Sequence, residues 1–181
     1  MIGALHALGH APEVMQERCH AWTLARPWGD YTLPLASIVR GRRMRRALAR
    51  LLGGPRIEDL WLPYACLTSN LTRACADAHT RGPLARLVRA SNAVPGLAPP
   101  VYYQGEVHVD GGVLDNLPVD VLRRMGAGTV IAVDVGTELN VDAPARFVDC
   151  PSGWALLWDG MRGRPKRAAP VFVALTRAFT L

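Results

Sequence analysis

Cysteine is scarce and unpatterned, with four residues at 19, 66, 75 and 150 and no C-x-x-C pair. That spacing suggests neither a zinc site nor a disulfide framework and predicts reduced, mostly packed thiols. No apolar run approaches the ~18 residues needed to span a bilayer. The opening Met1-Ile-Gly-Ala-Leu-His-Ala-Leu-Gly-His10 has no basic stretch ahead of its short apolar one, so it does not read as a secretory signal. The chain is therefore expected to be cytoplasmic or peripheral at a membrane. Serine is also rare: the four residues, Ser37, Ser69, Ser91 and Ser152, all lie outside any G-x-S-x-G motif.

What remains is ample for a globular core, since half of the 181 residues are hydrophobic. The formal net charge of +6 comes largely from arginine, much of it within Arg40-Gly-Arg-Arg-Met-Arg-Arg-Ala-Leu-Ala-Arg50. On charge alone, nucleic acid, an anionic membrane surface and simple solvation are all open.

Residues 1–8 are apolar nearly all round a helical wheel, which predicts a helix buried on most sides but without an N-cap. Met44, Ala47, Leu48, Leu51 and Leu52 follow helical spacing while Arg42, Arg43, Arg45, Arg46 and Arg50 fall mainly elsewhere, giving a basic amphipathic helix that ends at Gly53-Gly54-Pro55. Leu60 to Thr68 reads as a strand made irregular by Pro63. Pro83 opens a helix with Leu84, Leu87 and Val88 on one face, which stops near Asn92. A short strand around Val107–Val109 follows, then a turn at Asp110-Gly111-Gly112 and a helix over about 118–125. Thr129 to Val135 is a β-branched run of the kind that forms a strand covered on both faces. Strand, helix and strand in that order predict a βαβ unit and a largely parallel sheet.

Asp110 ends a strand beside two glycines, a suitable place for a catalytic acid or base, although Asp-Gly alone also describes an ordinary turn. Its context is more specific. Arg89-Ala-Ser91 with Pro95 precedes it, and Asp110-Gly-Gly-Val-Leu-Asp-Asn-Leu-Pro-Val-Asp120 runs on to Gly126-Ala-Gly128 and Val130-Ile-Ala-Val-Asp134. In this the chain resembles the patatin-like phospholipases. Ile57-Glu-Asp-Leu-Trp-Leu-Pro-Tyr64, Thr68-Ser-Asn-Leu-Thr72 and Ser152-Gly-Trp-Ala-Leu-Leu-Trp158 are similar to the neuropathy-target-esterase branch.

The resemblance implies a patatin-like three-layer α/β/α sandwich, incomplete at the N-terminus, over residues 1–158, with 159–181 as a C-terminal extension. It also implies serine lipid hydrolysis of a phospholipid or lysophospholipid by a Ser-Asp dyad, with no cofactor or metal. Asp110 would be the catalytic carboxylate and Gly111 and Gly112 its turn. The nucleophile has no counterpart in this chain, and the family pattern would put it on an elbow just before Met1, together with the Gly-rich oxyanion loop. The chain alone is then expected to be inactive and poorly soluble. The alternative is a non-catalytic remnant acting as a lipid-surface or partner-binding module, with Arg42, Arg43, Arg45 and Arg46 as the contact. Nucleic acid is not expected, because no stacking aromatics or binding module accompany the basic stretch.

Other candidates read more plainly. Ser91 is a local hydrogen-bonding residue at a helix end, and Ser69 and Ser152 have no stronger claim. His108 shares a strand face with Asp110, which could make a His-Asp pair, but the position reads as a surface histidine. Asn116 is a cap or turn former beside Asp115 and Asp120.

Overall fold

The computed structural model describes residues 1–33 and 37–133, of which Met1–Ala132 forms one compact unit. The expected boundary at 158 and the motif at Ser152–Trp158 lie outside the described residues.

Helix α1 (Ile2–Ala7) starts without a side-chain cap, and the Met1 carbonyl accepts from the backbone N–H groups of Ala4 and Leu5 at 3.1 and 3.2 Å. Ala4 and Leu5 are fully buried, whereas Ile2 is 61% exposed, so α1 has one face in solvent rather than being covered nearly all round. Helix α2 (Pro12–Leu24) has Pro12 in its first turn, where a missing N–H costs nothing, and buries no residue completely.

Helix α3 (Arg42–Leu52) is the basic amphipathic helix expected. Met44, Leu48 and Leu52, spaced by four, are buried along one stripe. Its start is capped from outside, because the Asp30 carboxylate accepts from the N–H groups of Arg42 and Arg43 at 2.7 and 3.1 Å. A carboxylate there also complements the positive end of the helix dipole. Gly53 ends it at φ +71°.

Strand β1 (Cys66–Asn70) begins later than the expected 60–68. A 3-10 turn at Ile57–Asp59 precedes it and residues 60–65 are irregular, with Trp61 left 85% exposed and Pro63 unable to donate to a ladder. Strand β2 (Cys75–His79) returns beside β1, and helix α4 (Leu84–Ala90) buries Leu84, Leu87 and Val88 as their spacing predicts. Strands β3 (Val101–Tyr103) and β4 (Glu106–Asp110) form a hairpin whose two-residue loop, Gln104-Gly105, has φ of +51° and +82°. Both signs match the hairpin turns that follow strand twist. Helix α5 (Val119–Arg124) lies within the expected 118–125.

The sheet order is β2-β1-β4-β3, and every pair is antiparallel. The fold is thus mixed α/β, and a parallel sheet is not seen among the described residues. Thr129–Val133 is not a strand here: Ile131 and Val133 are 86% and 72% exposed. None of the described strands runs beside this segment to take its backbone groups. Asp134 and Val135 lie outside the described residues. The main core joins α1, α3, α4 and β1 through Leu5, Met44, Leu48, Cys66 and Leu87.

Candidate active site

Asp110 is the last residue of β4, opposite Thr68 of β1. Its backbone N–H donates to the Ala93 carbonyl at 3.1 Å, and its Oδ1 accepts from the Gly112 N–H at 2.9 Å. Gly111 packs on β1 so closely that a Cβ would lie 2.7 Å from the Leu67 carbonyl oxygen, a backbone atom that cannot give way. That approach, tied by the Ser69 hydroxyl donating to the Gly111 carbonyl at 3.3 Å, explains why glycine follows the aspartate. A Cβ at Gly112 would meet Asn116 Oδ1 at 3.2 Å, and Asp115 donates its N–H to the Gly111 carbonyl at 3.0 Å. The residues after the turn therefore hold it.

Burial pushes the Asp110 carboxyl above the usual carboxylate range, and the Gly112 N–H only partly offsets this. A carboxylate that is partly desolvated is a stronger base than one in water, which suits it to accept a proton from a hydroxyl. Burial also lowers the pKa of the Met1 amine. The Cys66 thiol, itself pushed up by burial, lies within electrostatic reach of both the Met1 amine and Asp110.

His108 is not the surface residue expected. It is 1% exposed, and its Nδ1 is 3.0 Å from the Thr68 hydroxyl, which also lies 2.8 Å from His79 Nε2. Thr68, rather than Asp110, is its hydrogen-bond partner. Ser91 caps the end of α4, and Ser69 is fully buried behind the turn. The arginines of α3 open a second feature: Arg40, Arg42, Arg45, Arg46 and Arg89 line a cavity of about 340 Å³. Arg43 turns away from it, toward Gly29.

The patatin-like phospholipase model matches residues 1–123, which includes the Asp110 turn and α1. The chain belongs to the patatin-like phospholipase family. Patatin-like relatives include "Patatin-like phospholipase domain-containing protein 6" of Mus musculus, 38% identical over 164 residues, 87% of this chain and 12% of the relative. "Lysophospholipase NTE1" of Mycosarcoma maydis is 35% identical over 165 residues, covering 87% and 9% of the two chains. "Neuropathy target esterase sws" of Drosophila melanogaster is 40% identical over 131 residues, covering 71% and 9%. The chain thus spans about a tenth of the length of these curated patatin-like relatives. None of the helices among the described residues is long and apolar enough to cross a membrane.

Proposed function

We propose that this chain supplies the aspartate half of a Ser-Asp dyad for carboxylic ester hydrolysis of a phospholipid or lysophospholipid, with Asp110 as general base. The observation that carries this reading is the partly desolvated Asp110 carboxylate, fixed by Gly112 on a turn that Gly111 presses against β1. In the proposed reaction the Asp110 carboxylate takes the serine hydroxyl proton as the oxygen attacks the ester carbonyl. The alcohol leaves as an acyl-enzyme forms, and water then releases the fatty acid. The serine would come from an elbow ahead of Met1. The strand bearing such an elbow would also give Thr129–Val133 a parallel partner and complete the α/β/α sandwich. Without the nucleophile and its oxyanion donors, the 181 residues alone would be inactive, because one such donor is typically worth ~3 to 4 kcal/mol.

The five arginines around one cavity favour a second, compatible role as the contact with anionic lipid, and this would persist in a non-catalytic remnant.

Fluorophosphonate labelling of the 181-residue chain beside a chain extended upstream, read by intact mass and peptide mapping, tests the reading. Labelling of the extended chain alone, at an elbow serine, is the expected result. Stoichiometric labelling of the short chain at Ser69 or Ser91 would overturn it.

A further inference from the structure

Strand alternation places Cys75, Asp77 and His79 on one face of β2, and register aligns them with Asn70, Thr68 and Cys66 of β1. His108 of β4 is in register with Asn70 on the same face. As a result, one donor atom each from Asp77, His79 and His108 lie within 4.8 Å of one another. His108 Nε2 is buried and has no hydrogen-bond partner. An orphaned imidazole nitrogen in a buried position is costly unless something occupies it.

The surroundings prepare these groups as ligands. The Thr68 hydroxyl oxygen has two lone pairs and can accept from His79 Nε2–H and His108 Nδ1–H together. That arrangement leaves a lone pair on the other nitrogen of each ring, as metal-binding imidazoles require, and fixes both ring orientations. Asp77 Oδ2 accepts from Asn70 Nδ2 at 2.7 Å and from Arg73 at 2.6 Å, which anchors the carboxylate. Its Oδ1 has only the Cys75 thiol, 3.7 Å away, and stays available. Glu106 Oε2, 3.9 Å from His108 Nε2, offers a further oxygen at the rim.

We propose that Asp77, His79 and His108 form a binding site for a divalent transition-metal ion of the zinc class, on the same sheet face as Asp110. Two imidazoles and one carboxylate suit zinc in preference to calcium or magnesium, which favour all-oxygen sites. Three protein ligands leave a fourth position for water or Glu106. The ion would cross-link β2 to β4 over β1.

The test is zinc titration of the metal-stripped 181-residue chain in competition with a chromophoric chelator, with cobalt(II) absorption as the spectroscopic readout. One zinc per chain is expected, and His79→Gln, Asp77→Asn and His108→Gln should each weaken it at least about tenfold. Thr68→Val, which removes only the orienting hydroxyl, should cost about 10- to 100-fold. Circular dichroism identifies variants that keep the parent fold, and the partly exposed Asp77→Asn carries the test should the buried His108→Gln misfold. Absence of saturable binding would overturn the proposal. So would zinc held as tightly by Asp77→Asn and His79→Gln as by the parent, which would assign the ion to surface histidines or free thiols.

Discussion

The Asp110 carboxylate has a raised pKa in the folded chain, so folding favours its protonated form. Its contribution to stability is therefore greatest below the unfolded carboxylate pKa and is lost as pH rises through the folded value. Asp110→Asn can keep the Gly112 N–H bond without the buried charge. It should raise the melting temperature at pH 7, and the gain should shrink toward acid pH in thermal scans. In an upstream-extended chain the same substitution should lower ester hydrolysis by about 10² to 10⁴-fold. Glu58 shows the opposite sign. Its own backbone N–H, the Gly82 N–H and Arg56 hold its carboxyl down to about 2. The stabilisation from Glu58 is present above the ordinary carboxylate pKa and is lost as pH falls toward 2, so Glu58→Gln should destabilise at pH 7 but not in strong acid. The strand end and turn at Asp110 were legible because the strand, the carboxylate and the glycines are adjacent in sequence. His108 was not, since its partner Thr68 is 40 residues away and only the sheet register brings them together. The alternation Cys75-x-Asp77-x-His79 was a readable signal for the cluster, hidden by the intervening alanines, which weaken a strand pattern.

At the scale of elements, α3 divides cleanly between its two faces. Leu48 is 1% exposed, and Leu48→Ala should cost about 2 to 5 kcal/mol in denaturant unfolding. Arg45→Ala with Arg46→Ala should leave stability within about 0.5 kcal/mol of the parent. The pair should nonetheless weaken binding to phosphatidylserine vesicles by about fivefold per arginine, measured by co-sedimentation at low salt. Helices α3, α4 and α5 were legible because apolar spacing, Pro and Gly all agreed. Helix α2 was not, as its stripe of Met15, Cys19 and Trp22 is only partly buried and the exposed apolar Val14 and Leu24 blur its spacing. Strands β2 and β3 were missed for related reasons: one is built on exposed alanines, and the other is three residues long. The late start of β1 is the same lesson at a boundary, where apolar Trp61 and Leu62 face solvent and Leu60 packs on the core from an irregular segment.

At the scale of the whole molecule, family and mixed α/β class were readable from ordered motifs, whereas the antiparallel pairing of the described strands was not. The β-branched run Thr129–Val133 has the composition of a covered strand but is exposed here, because a strand exists only with a neighbour to satisfy its backbone. In an upstream-extended chain, the amides of Val130 to Val133 should gain protection in hydrogen exchange by at least about tenfold over the 181-residue chain. Equal exchange in both would count against the parallel sandwich. Trp61 lies outside these energetics yet is well placed. The residue is 85% exposed, and a Cβ at Gly9 would sit 3.5 Å from its ring, while the neighbouring Leu62 N–H donates to the Ala7 carbonyl at 3.3 Å. The loop thus carries a solvent-facing fluorophore at the seam where α1 docks. It serves as an optical gauge of whether that helix is seated, readable without any turnover.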